Sequence, residues 1–140
     1  MHHPPHILLI DDDDVDVMIF KRALKRSGIE HTLSVAYDGD EALEQLRGEA
    51  SGKPLQPDVI LMDVNMPRMN GHECLSALRA DPRLKRNVVF MFTTSSDRND
   101  VERAFDHNVA GFITKTGQAE QCVQIAQMVD QYAQLTLSPY

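Results

Sequence analysis

Five acidic residues crowd six positions near the start of the chain: Asp11, Asp12, Asp13, Asp14 and Asp16, directly after the apolar run Ile7–Ile10. Like charges this close repel, and burial makes each ionised group costlier still. The run is therefore either solvated or answered by something cationic. Three other polar residues close apolar runs in the same way. Asp63 falls at the end of "DVILMDV" (58–64), Thr93 at the end of "VVFMFTT" (88–94), and Lys115 just after "AGFIT" (110–114). Carboxylate oxygens with a backbone carbonyl suit a hard cation that keeps some of its waters, so Mg²⁺ is the expected ion, with Mn²⁺ able to replace it. A carboxylate beside such an ion can attack phosphorus, and an ammonium and a hydroxyl can hold the other phosphoryl oxygens.

Each residue alone has a plainer reading. Acids ahead of a helix can serve as N-caps favoured by the helix dipole. Asp63 can be a turn residue, Lys115 a solvated lysine, and Thr93 an ordinary strand residue. What separates the readings is whether the fold brings all of them to one place.

The elements alternate in type. "HILLI" reads as a strand, and "VDVMIFKRALKRSG" as a helix, with Val15, Met18, Ile19, Ala23 and Leu24 at helical spacing and Gly28 at the stop. The spacing predicts a short strand over 31–39 that leaves through its Asp-Gly turn, strands over 58–64, 88–94 and 110–114, and helices over 40–48, 98–108 and 118–135, with one over 72–84 running out near Asp81-Pro82. Loops cover 49–57 and 65–71, the first marked by its Gly, Ser and two prolines. Five strand–helix pairs predict an α/β fold, a five-stranded parallel sheet with helices on both faces. In such sheets ligands bind outside the carboxyl ends of the strands. Asp11, Asp12, Asp63, Thr93 and Lys115 all belong to those ends.

Composition excludes other classes. With 140 residues the chain suits one domain, 1–140, with a flexible N-terminus at 1–6 and a tail at 136–140. A net charge of -7 argues against a nucleic-acid partner. No apolar run approaches the roughly 18 residues of a membrane span, and the start lacks a secretory pattern, so a cytoplasmic location is expected. His2, His3 and His6 read as part of a flexible terminal tract, and Cys74 and Cys122 as reduced thiols on helices.

"LLIDDDD", "DVILMDVNMPRMNG", "FMFTTS" and "GFITK", correctly spaced, resemble the response-regulator receiver domain of two-component signalling, over nearly the full length. The resemblance implies a flavodoxin-like (βα)5 fold and a phosphoacceptor that catalyses only its own phosphorylation and slow dephosphorylation. It implies that Asp63 takes a phosphoryl group from a sensor histidine kinase. Asp12, Asp63 and the backbone carbonyl of Asn65 would bind Mg²⁺ directly, Asp11 acting mainly through water. Thr93 and Lys115 would contact the phosphoryl oxygens, and Thr93 and Phe112 occupy the family's switch positions. The loop "GEASGKPLQP" and the stretch "DPRLKRNVV" are similar to small stand-alone regulators paired with bacterial phytochrome-type kinases. No output domain follows, so the protein is expected to signal by changing its own surface and protein contacts or by passing the phosphoryl group on.

Two positions depart from the family pattern. Thr116 stands where proline with a cis peptide is usual, and Phe112 replaces the commoner tyrosine. If Lys115 must turn back toward the pocket as it does in the family, the Lys115–Thr116 peptide is expected to be cis, at a cost of about 2.5–4 kcal/mol. Two rivals remain to be weighed. A haloacid-dehalogenase-type phosphatase fits "DDDDV", Thr93 and Lys115 but leaves Asp63 unused and lacks an acidic motif after the lysine. A flavodoxin-like binder of flavin would repel its ligand's phosphate with the acidic run. Finally, no lysine or arginine follows Lys115, and six glutamines line the closing helix. Charge depletion of that kind marks interface cores, so a homodimer through the C-terminal helix is expected.

Overall fold

The computed structural model describes residues 3–140, so His2 lies outside the described residues. The strands are β1 (His6–Ile10), β2 (Thr32–Ala36), β3 (Val59–Met62), β4 (Val89–Thr93) and β5 (Gly111–Thr114). Between and after them come the helices α1 (Asp14–Ser27), α2 (Gly39–Arg47), α3 (Gly71–Ala80), α4 (Arg98–Asp106) and α5 (Ala119–Leu135). All strands pair in parallel in the order β2-β1-β3-β4-β5. The α/β fold expected from the alternation of elements is the one formed.

Strand geometry sends successive side chains to opposite faces. Leu8, Ile10, Ile60, Met62 and Met91 meet α2 and α3 on one face, with Ala104 of α4. Ile7, Leu9, Val59, Leu61 and Phe92 meet α1 and α5 on the other. With both faces covered, β3 has no exposed position, which is why its sequence is a continuous apolar run.

Local chemistry sets the ends of the elements. Asp38 caps α2, its side chain accepting from the Glu41 amide, so β2 stops at Ala36 and the Asp38-Gly39 pair expected to turn the chain opens the helix. Asn70 and Glu73 form a reciprocal capping box at the start of α3. That helix stops at Ala80 with Asp81 as its C-cap, the residue before Pro82, where proline disfavours helical backbone. His6, placed by sequence both in the terminal tract and at the head of "HILLI", opens β1, its amide donating to Asp58 Oδ2 at 2.8 Å.

The Lys115–Thr116 peptide is trans, which corrects the expectation of a cis bond; no cis peptide occurs among the described residues. The turn is made without it. The Lys115 amide donates to Thr93 O at 2.7 Å, Gly117 takes a left-handed φ of 78°, and Gln121 Oε1 accepts from the Thr116 amide at 3.0 Å. A glycine one residue on absorbs the change of direction, so the non-proline cis penalty is avoided.

Candidate functional site

Asp11 and Asp63 sit one residue past the ends of adjacent strands, β1 and β3. Main-chain bonds hold both: the Asp11 amide donates to Ala36 O and the Asp63 amide to Ile10 O, each at 3.0 Å. Their carboxylates are therefore placed side by side by the sheet itself. Lys115 follows β5, two strands away from β3. Its side chain returns past the Phe92 ring, with Nζ 5.5 Å from the ring centroid. The side chain is 6 % exposed, and its ammonium donates to Asp11 Oδ2 at 2.6 Å, Asp16 Oδ2 at 2.9 Å and Asp63 Oδ2 at 3.3 Å. All three of its N–H groups are thereby used.

Charge is unbalanced there. Asp11, Asp12, Asp16 and Asp63 face a single ammonium. Burial alone would lower the Lys115 pKa, but its bonds to Asp11 and Asp16 outweigh burial and hold it well above the usual lysine range. Burial pushes the Asp11 carboxyl up, against the pull of Lys115 and of the Asp13 amide. One ammonium does not compensate a nearly inaccessible carboxylate with two more beside it. One oxygen from each of Asp11, Asp12 and Asp63 lies within 4.8 Å of the others. An oxygen-only donor set with surplus negative charge fits a hard divalent cation such as Mg²⁺ or Mn²⁺.

The acidic run divides its work. Asp11 and Asp12 belong to this cluster. Asp13 is the N-cap of α1, accepting from the Val15 and Asp16 amides at 2.8 and 3.2 Å. Asp14 is exposed in the first turn, where the helix dipole favours a negative charge. The plain capping reading thus holds for Asp13, while the two residues before it join the carboxylate cluster.

Thr93 is fully buried, and its Oγ1 accepts the Ser95 amide at 3.3 Å. Asn65 lies exposed two residues past Asp63 in the same loop. Phe112, on β5, packs against the core that α2 and α3 cover. The loop after Asp63 is tied back by the Gly71 amide, which donates to Val64 O at 2.7 Å. Two features escaped the sequence reading. Asp16 is a direct partner of Lys115, and its signal was its place in the first turn of a helix that starts at the sheet's carboxyl edge. Ser95, Asp100 and His72 form a hydrogen-bonded chain, and each alone has an ordinary sequence context.

This fold with this cluster defines a response-regulator receiver domain. Residues 7–127 match the response regulator receiver domain family, and the chain belongs to it. Members of that family are phosphorylated by histidine kinases in two-component signalling. Among curated relatives, the response regulator Rcp1 of Synechocystis sp. is 32 % identical over 131 residues, covering 92 % of this chain and 88 % of its own. Among solved structures, the phosphorylated cyanobacterial phytochrome response regulator RcpA aligns at a TM-score of 0.86 and 31 % identity, over 99 % of this chain and 100 % of that one. The Mn²⁺-bound form of Rcp1 aligns at 0.82 and 30 % identity, over 98 % and 100 %. The phosphatase and flavin-binding readings are not favoured.

Proposed function

We propose that Asp63 is the phosphoacceptor and that the chain is a response regulator of the phytochrome-associated type, fed in the cytoplasm by a sensor histidine kinase. The carboxylate oxygen of Asp63 would attack the phosphorus of a phosphohistidine. The new O–P bond forms as the P–N bond to the donor imidazole breaks, leaving an acyl phosphate that water later hydrolyses. Asp11, Asp12, Asp63 and the Asn65 carbonyl would hold Mg²⁺ or Mn²⁺. When bound, that cation supplies positive charge to the equatorial phosphoryl oxygens. Lys115 is anchored by Asp11 and Asp16 so that its remaining bond, the longest of the three, points at Asp63 and an attached phosphoryl oxygen. Thr93 offers a hydroxyl from the end of β4. The protein does no chemistry on other substrates; its output is an altered surface, and we assign it a homodimer contact along α5.

The observation that carries this reading is the Lys115 ammonium shared by Asp11, Asp16 and Asp63, beside a cluster of three carboxylates. Likeness to RcpA, crystallised phosphorylated, and to Mn²⁺-bound Rcp1 supports it. Incubation with Mg²⁺ and acetyl phosphate should add one phosphoryl mass to the intact protein, and Asp63→Asn should abolish the gain. Equal labelling of the mutant would move the acceptor elsewhere.

A further inference from the structure

His72 is 3 % exposed, in the first turn of α3, with one nitrogen partnered and one not. Its Nε2 is 2.9 Å from Asp100 Oδ1, while Nδ1 is buried without a hydrogen-bond partner. Asp100 is held as a carboxylate by Ser95 and His72, which pull its pKa down. An ionised carboxylate only accepts, so Nε2 carries the proton and donates. The other Asp100 oxygen accepts from Ser95 Oγ at 2.6 Å, and the Ser95 amide donates to Thr93 Oγ1 at 3.3 Å. An unbroken chain therefore runs from His72 on α3, through Asp100 on α4, to the hydroxyl at the end of β4.

Both ends of the chain touch the candidate site. Gly71, adjacent to His72, lies so close to the Asp63 main chain that a Cβ there would meet Asp63 O at 2.2 Å. At the other end, Thr93 has its hydroxyl oxygen engaged by Ser95 and makes no hydrogen bond to Asp63 among the described residues. The element between them is lightly held, because Ala104 is the one buried residue of α4. For such a helix, hydrogen bonds to a charged group are a large share of what fixes its first turn.

We propose that His72 and Asp100 are positioning residues for Thr93: through Ser95 they hold its hydroxyl on the β4–α4 turn and away from Asp63, and so restrain the activated arrangement. This rests on Asp63 being the phosphoacceptor. For Thr93 to swing toward a phosphorylated Asp63, the Ser95 amide must lose its acceptor or the turn must follow, pulling Asp100 away from a buried imidazole. Loosening the chain therefore favours the phosphoryl-bound state.

Beryllofluoride with Mg²⁺ mimics the aspartyl phosphate, and its binding can be titrated by amide NMR. His72→Leu keeps the site apolar and removes the donor. It should bind beryllofluoride about five- to tenfold more tightly than wild type, the equivalent of about one hydrogen bond. Its unliganded Ser95 and Thr94 amide shifts should already lie part of the way to their bound positions. His72→Gln, which restores a donor, should return both readouts toward wild type. Added to each protein in turn, Thr93→Val should erase the difference between the wild type and His72→Leu. A structural role alone would lower stability without the directed shift. If His72→Leu does not fold, Ser95→Ala must give the same tightening. Unchanged affinity with unchanged Ser95 shifts overturns the restraint. Failure of the wild type itself to bind, or binding undiminished in Asp63→Asn, overturns the site assignment instead.

Discussion

At the scale of single residues, Lys115 is the counter-ion for a cluster that carries too much negative charge without it. Asp11 is 1 % exposed, so its carboxylate depends on the ammonium 2.6 Å away. Lys115→Met would keep the stem that lies past Phe92 while leaving Asp11 buried and unpaired. Removing one member of a buried pair costs about 3–5 kcal/mol, and we expect a loss at the lower end of that range by chemical denaturation, because Asp16 and Asp63 can relax toward solvent. A divalent cation would relieve the same repulsion. Added Mg²⁺ should therefore raise the melting temperature of Lys115→Met more than that of the wild type. Equal rises in the two proteins would mean that ammonium and cation do not answer the same charge. Asp11, Asp63, Thr93 and Lys115 were legible because each ends an apolar run, and a parallel sheet collects such ends on one edge. Asp16 was not, since its bond to Lys115 spans 99 positions in the chain and depends on how far a lysine reaches across β4. The chain from His72 through Asp100 to Ser95 was illegible for the same reason.

At the scale of elements, the junction of β3, its loop and α3 is the tightest point in the site's frame. Gly71 opens α3 against the backbone it follows: a Cβ there would lie 2.2 Å from Asp63 O and 2.9 Å from Val64 Cα. Neither neighbour is the movable end of a side chain, so the main chain that carries Asp63 must shift. Gly71→Ala should destabilise the protein by about 2–3 kcal/mol, the upper part of the range for overpacking. It should also weaken Mg²⁺ binding, since Asp63 is displaced relative to Asp11 and Asp12. Calorimetry with a metal titration checks both effects, and a stable mutant with wild-type metal affinity would show that the junction has slack. Continuous apolar runs made β3 and β4 readable, and the alternation of strand and helix gave the order of elements. The ends of β2 and α3 were readable too: the Asp38-Gly39 pair expected to turn the chain caps and opens α2, and α3 runs out at Asp81, before Pro82. The Lys115–Thr116 peptide was misjudged because the turn's solution lay in Gly117, one residue beyond the position compared.

At the scale of the whole molecule, the question is what the outer face of α5 meets. Cys122, Val123, Ile125, Ala126 and Val129 are buried against the sheet and α1, and Ala133 is buried in the following turn. Beyond Glu120, the outward residues are Gln124, Gln127, Met128, Gln131, Gln134 and Leu135, with no charge among them. Gln124, Met128, Gln131 and Leu135 follow one another at four-, three- and four-residue steps, the spacing of a seam between two helices. Leu135 is 84 % exposed and Leu137, beyond the helix, 97 %. An ordinary exposed helix carries mixed charges and favours cations in its last turn, yet α5 has no basic residue in its last turn. Of the charges nearest this face, Glu120 pairs with Arg26 of α1 at 2.7 Å, and Asp130 accepts from the neutral Gln134 amide at 3.3 Å. The row Gln124, Met128, Gln131 and Leu135 would bring no charged side chain of its own into a contact between two copies of α5, and burying an unpaired ion is the usual cost of an interface core. Light scattering of the purified protein at tens of micromolar should give twice the chain mass. Met128→Glu with Leu135→Glu should return it to the chain mass, because like charges would then face one another across the seam. Beryllofluoride should change the dimer's dissociation constant if the surface beside β5 responds to Asp63. A wild-type protein that stays monomeric with and without beryllofluoride would leave α5 a solvated face, and a dimer that survives the double substitution would place the contact on another surface.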